Sequence, residues 1–136
     1  MQDIAGARII LPSPVLQQQL LATLKEQYPS DDEFPLIRIT DTREHGDRNG
    51  YRAVHVVQRI EGRPAEMQIR TPLQQEWAQL VERLDQRAGT DLKHGQGPAE
   101  WRSWLNELSQ TFHRLERGEL ADLPDPPDFG DTTIWP

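Results

Sequence analysis

The chain has 136 residues, 22 acidic against 15 basic side chains for a net charge of −7, and no cysteine. That length sets a single domain with a modest core, and the absence of thiols excludes disulfides, thiolate metal sites and cysteine nucleophiles while suiting a reducing cytoplasm. The acidic total argues against non-specific nucleic-acid binding, and with no signal-peptide pattern and no apolar run near the roughly 20 residues of a membrane span, a soluble cytoplasmic protein is expected.

In chain order, Asp3 to Leu11 opens with a short apolar strand, DIAGARII, in which Gly6 marks a bulge or a close backbone approach. Ser13 and Pro14 supply an N-cap and a proline at the first helical position, and Leu16, Leu20, Leu21 and Leu24 recur at helical spacing. An amphipathic helix ending near Tyr28 follows from that pattern. Pro35 to Thr42 reads as a second strand, and Arg43 to Asn49 as a polar loop. Gly50 to Val57 and Glu66 to Thr71 read as two further strands, joined through the turn chemistry of Glu61-Gly62-Arg63-Pro64.

A two-residue loop at Gly62-Arg63 pairs Glu66 with Arg59, Gln68 with Val57 and Arg70 with His55. Pro64 has no N–H for the closing bond, which favours a four-residue loop of the same register. Either loop sets Tyr51, Ala53, His55 and Val57 on the face of Glu66, Gln68 and Arg70, and Val54 and Val56 on the face of Met67 and Ile69. A three- or five-residue loop would break that parity.

Thr71-Pro72 caps a second helix with Leu73, Trp77, Leu80, Val81 and Leu84 inward. A third runs from about Pro98 to Arg117, burying Trp101, Leu105, Leu108, Phe112 and Leu115. The remaining stretch from Glu119, rich in Pro and Asp, is expected to be extended or disordered. The order β-α-β-β-β-α-α predicts an α+β fold, one mixed sheet with helices on one face and the other face free for a ligand. Apolar stripes at helical spacing are core by default, so the tryptophans are read structurally, with Trp135 in the tail left as a docking residue.

The chain has no Gly-Lys-Ser/Thr phosphate loop, no dinucleotide-binding glycine fingerprint and no Ser, His and acid arrangement of a hydrolase. Histidines at 45, 55, 94 and 113 lack metal-ligand spacing, so zinc is not expected. What remains is a carboxylate, an amide and a guanidinium side by side at Glu66, Gln68 and Arg70. Two oxygen ligands from separate strands can hold Mg²⁺ at about 2.0 to 2.1 Å, and Asp3 with Glu66 is the best pair. The alternative for Asp3 is an exposed terminal residue. Arg38, Arg43, Arg48, Arg52, Arg59, Arg63 and Arg70 crowd the middle third. They form either a basic patch suited to a small polyanion such as a nucleotide or a set of solvated partners for neighbouring acids. Tyr51, at a loop end, offers a ring face for a nucleobase worth about 1 to 3 kcal/mol, or is a half-buried sheet tyrosine. His55 is likewise either a site residue or a satisfied sheet histidine.

Taken together, DIAGARII, NGYRAVHVV, EMQIRT and WAQLVERL resemble, in order and spacing, the RelA/SpoT-type alarmone synthetase domain over about residues 2 to 117. The resemblance looks closest to a compact actinobacterial-style branch with a loop like Lys93-His94-Gly95-Gln96-Gly97-Pro98. It implies a nucleotidyltransferase-like mixed sheet with flanking helices, and Mg²⁺-dependent transfer of pyrophosphate from ATP to the 3′-hydroxyl of GDP or GTP. By motif, Asp3 would bind Mg²⁺, Glu66 would bind metal or help deprotonate the attacking hydroxyl, and Tyr51 would stack on the acceptor guanine. Asn49, His55, Gln68 and Arg70 would line the acceptor and phosphate site, and Arg8 would support a phosphate or the fold.

The chain departs from the family pattern in three places. No basic helical segment with an Arg-x-Lys…Ser pattern, which grips the ATP phosphates, precedes Asp3, so residues 1–117 read as a domain without its donor segment and 118–136 as a flexible tail. Gly46-Asp47-Arg48 replaces the usual Pro-Lys ahead of Asn-Gly-Tyr, with Arg48 able to substitute in charge. Val81-Glu82 stands where Glu-His often follows. The alternatives are a non-catalytic guanine-nucleotide-binding remnant or interaction module, and transfer to adenosine nucleotides or tRNA as in toxic relatives. The acidic total leans against tRNA; no membrane partner is expected, and a homo-oligomer stays open.

Overall fold

Ser13 begins the first helix as expected: its side chain accepts from the Leu16 N–H at 3.3 Å, with Pro14 at the first helical position. The computed structural model describes residues 5–29 and 31–132, so Asp3 and Trp135 lie outside the described residues. The chain divides into two compact units, residues 1–43 with 53–72, and 44–52 with 73–136.

The first unit holds β1 (Ala5–Ile10), α1 (Pro14–Gln27), β2 (Leu36–Asp41), β3 (Val54–Ile60) and β4 (Arg63–Arg70). They build a mixed sheet in the order β1-β4-β3-β2, with β1 parallel to β4 and the other pairs antiparallel. One face packs on α1: Leu21 and Leu24 meet Val54, Val56 and Ile69, with Met67, Ile39 and Leu36 around them. The fully buried Gln17 is accommodated because its Nε2 donates to the Ile69 carbonyl at 2.9 Å.

The second unit pairs α2 (Pro72–Ala88) with α3 (Ala99–Glu116), joined through a 3₁₀ turn at Leu92–His94. Trp77, Leu80, Val81 and Leu84 pack with Trp101, Trp104, Leu105 and Leu108. The Asp85 carboxylate organises the connection, accepting from the Leu92 and Lys93 N–H groups at 2.7 and 3.1 Å and the Thr90 hydroxyl at 2.8 Å. Beyond α3 the described residues, through Thr132, form neither helix nor strand. Trp101 and Trp104 donate to the Asp128 and Pro124 carbonyls, each at 3.2 Å, and Phe129 lies edge-on to both rings. The three described tryptophans are thus core residues.

Three expectations are corrected. The hairpin turns at Glu61-Gly62, not Gly62-Arg63, and both have positive φ, 51° and 76°, as a type I′ turn needs. His55 therefore faces Gln68 and Val57 faces Glu66, a shift of two that keeps the predicted parity of faces. Pro64 falls opposite Arg59, a pair that exchanges no ladder bonds next to a two-residue turn, and Arg59 N–H points instead to the Pro35 carbonyl at 2.9 Å. Second, β3 starts at Val54, so Tyr51 and Ala53 are not on its ladder; the backbone N–H and C=O of Tyr51 are both held by Asp47. Third, Gly6 makes no bulge. The β1–β4 register runs unbroken from Ala5 to Ile10, and a Cβ at Gly6 would stand 3.8 Å from the Glu66 carbonyl oxygen, an ordinary contact.

Candidate functional site

Parity places Gly6, Arg8 and Ile10 of β1, Glu66, Gln68 and Arg70 of β4, and His55 and Val57 of β3 on the sheet face away from α1. There the polar side chains form a relay. Arg70 Nη2 donates to Gln68 Oε1 at 3.0 Å, Gln68 Nε2 donates to Glu66 Oε1 at 3.1 Å, and His55 Nδ1 lies 3.3 Å from that same oxygen. Each link joins residues two apart on one strand or on facing strands, so the geometry follows directly from register.

Glu66 is consequently one-sided. Both contacts converge on Oε1, while Oε2 has no partner among the described residues. The Glu66 side chain is 26% exposed and borders a cavity of about 330 Å³ lined by Gly6, Ala7, Arg8, Glu66 and Gln68. Glycine at position 6 leaves the space above the sheet clear at that edge. His55 is held below its ordinary pKa chiefly by burial, with Glu66 opposing and Arg70 reinforcing the shift, so its neutral ring is favoured near neutral pH.

The remaining predicted residues, Arg48, Asn49 and Tyr51, belong to the loop of the second unit. Asp47 builds that loop: its Oδ1 accepts from the Asn49 and Tyr51 N–H groups at 2.8 and 3.0 Å, and its own N–H and C=O bond Tyr51 O and Gly50 N. Gly50 is obligatory by two criteria. Its φ is +94°, and a Cβ would stand 3.0 Å from Asn106 Oδ1 and 3.1 Å from Trp77 Cζ2. Tyr51 is half-buried with its ring 6.4 Å from that of Trp77, and Asn49 Nδ2 donates to the Lys93 carbonyl at 3.3 Å, tying the loop to the 3₁₀ turn. Asp47 was legible only as a departure from a basic motif; the two N–H groups that follow an Asp in a turn were the available signal.

Two of the seven clustered arginines, Arg52 and Arg43, are engaged within the protein. Arg52 is 7% exposed, donating from Nε to Ser109 Oγ at 3.0 Å and from Nη1 to the Glu44 carbonyl at 2.7 Å, while Ser109 donates to the Gly50 carbonyl. Arg43 is forked onto Asp41, whose carboxyl it holds below its usual range. Among the described residues no group of three or more His, Asp or Glu suits a metal ion, and no helix is long and apolar enough to cross a membrane.

Comparison with known proteins gives a consistent set of likenesses. The family described as "Region found in RelA / SpoT proteins" matches residues 1–85. The uncharacterized protein Rv1366 of Mycobacterium tuberculosis is 36% identical over 100 residues, covering 73% of this chain and 35% of the relative. GTP pyrophosphokinase YwaC of Bacillus subtilis is 26% identical over 127 residues, covering 88% of this chain and 56% of the relative. Among solved structures, small alarmone synthetase 1 of Bacillus subtilis bound to its product pppGpp matches with a TM-score of 0.66 at 25% identity, over 87% of this chain and 60% of that one. The chain spans about a third of the mycobacterial relative and somewhat over half of the other two.

Proposed function

The chain belongs to the RelA/SpoT family, and from that membership we propose that it serves Mg²⁺-dependent transfer of pyrophosphate from ATP to the 3′-hydroxyl of GDP or GTP. In that reaction the acceptor 3′-oxygen bonds the β-phosphorus, the bond from that phosphorus to the α–β bridging oxygen breaks, AMP leaves, and the hydroxyl proton must go to a base. Glu66 Oε2 is the oxygen suited to take it, because Gln68 and His55 engage Oε1 and leave Oε2 without a partner among the described residues, on a side chain that lines the cavity. This asymmetry is the observation that carries the reading.

Arg8 lines the same cavity and supplies positive charge to a transferring phosphoryl group. Arg70 acts at one remove, orienting Gln68. Tyr51 would offer its ring to the acceptor guanine, and Asp47 and Asn49 hold the loop that carries it. Mg²⁺ would neutralise the triphosphate, held by Asp3 and phosphate oxygens or, in place of its role as the base, by Glu66 as well; among the described residues Glu66 is the acid on that face. Transfer to tRNA is the weaker alternative, since Arg43 and Arg52 are already engaged within the protein.

Calorimetric titration with GDP, GTP and ATP in Mg²⁺, followed by a transfer assay on the same sample, tests the proposal. Guanine-nucleotide binding with transfer supports it. Binding of GDP or GTP without ATP binding or transfer would reassign the chain as an acceptor-binding module, and no binding of any nucleotide would overturn both readings.

A further inference from the structure

The second unit contains a cavity of about 50 Å³ whose polar wall is Arg48, Asn49, Arg102 and Asn106 and whose apolar floor includes Trp77 and Leu105. Arg48 comes from the loop and Arg102 from the first turns of α3. Neither forms an ion pair with a carboxylate among the described residues, in a protein with a net charge of −7. Two guanidinium groups lining one cavity repel each other, a repulsion that solvent partly screens because both residues are exposed. An anion seated between them reverses the sign of the interaction.

Both arginines are presented by fixed backbone. Arg102 Nε donates to the Gly97 carbonyl at 3.2 Å, which leaves its two Nη groups for another acceptor. Gly97 has φ +121° and a Cβ there would stand 2.8 Å from Leu92 Cδ2, while one at Gly95 would stand 2.9 Å from Asn49 Oδ1, so both glycines are held to close packing around the cavity. Asp47, the nearest acid in sequence to Arg48, turns its Oδ1 to the backbone of its own loop. A single water needs about 10 to 15 Å³ of such cavity space, so the cavity has room for one compact oxyanion or a small cluster of waters.

We propose that this cavity binds a single phosphoryl group, gripped by the guanidinium forks of Arg48 and Arg102. The group is either inorganic phosphate or the terminal phosphate of a nucleotide. The site stands apart from the assignment of Glu66 and does not depend on transfer.

The test is NMR titration of the full chain with inorganic phosphate and, separately, GDP, following the arginine Nε–H resonances. Saturable shifts at Arg48 and Arg102 are expected, with affinity falling at least tenfold in R48Q and in R102Q and unchanged in R114Q, an α3 arginine outside the cavity. Tighter binding of GDP at the same resonances identifies a nucleotide phosphate, whereas response to phosphate alone identifies a free anion. Absence of shifts with both probes, or an equal loss in R114Q, overturns the proposal. Should R102Q fail to fold, R102K retains the charge without the fork and is expected to bind severalfold more weakly; wild-type affinity there overturns the forked grip. E66Q should leave these titrations unchanged, so failure of transfer and failure of this site are separable.

Discussion

At the scale of single residues the carboxylate of Glu66 is the sharpest feature, and its consequences are separable from those of Tyr51. Glu66→Gln keeps the size of the side chain but removes its basicity and charge. We expect transfer to fall by about 10² to 10⁴-fold with guanine-nucleotide affinity retained, read by initial rates beside calorimetry. Tyr51→Ala should instead weaken guanine-nucleotide binding by about 1 to 3 kcal/mol while circular dichroism stays that of the folded chain. A second residue-level prediction concerns His113. Burial first, then the charges of Arg52 and Arg117, lower its pKa below the ordinary 6.5. The folded state therefore binds fewer protons than the unfolded one, so this contribution to stability is complete above about pH 6.5 and is lost as pH falls toward the depressed folded value. Urea unfolding at pH 7 and pH 5.5 should show stability falling on acidification, and falling less in His113→Gln. An equal loss in both proteins would remove His113 from the account.

Among the elements, the helices were the most legible, because their starts carry local chemistry: Ser13-Pro14 opens α1 and the 3.6-residue apolar spacing defines α2 and α3. The hairpin was legible in parity and not in register. Alternation says which residues share a face, whereas pairing depends on the sign of φ at two turn positions, one of them a glutamate that rarely takes that conformation. Relief of that strain is testable: Glu61→Asn should stabilise the chain by about 1 kcal/mol in urea unfolding. Gly50→Ala should cost several times more than Gly62→Ala, since a Cβ at Gly62 meets nothing within 4 Å and incurs only the backbone penalty of about 1 to 2 kcal/mol. Equal costs would mean that loop 44–52 yields freely around Gly50.

For the molecule as a whole, class and element order were readable, but the assignment of segments to units was not. Loop 44–52 lies in sequence inside the sheet unit yet belongs to the helical one, through bonds such as Arg52 to Ser109, 57 positions apart. No local pattern announces such a bond. Because the chain passes between units after residues 43, 52 and 72, neither unit is one continuous piece of sequence. Leu21→Ala, which empties the core beneath the sheet, should cost about 2 to 5 kcal/mol and shift the fluorescence transition of Trp77, Trp101 and Trp104 together with that of circular dichroism. A shift in circular dichroism alone would show that the units unfold separately. The type I′ turn has a further consequence for how this protein tolerates change. A hairpin that slipped by two residues would keep every apolar side chain on its own face, so stability would hardly register the error, yet His55 would meet Arg70 and lose Glu66. Selection for thermal robustness alone is therefore blind to this fault, and libraries varied at Glu61 and Gly62 need to be screened on ligand chemistry if well-folded but inert proteins are to be recognised.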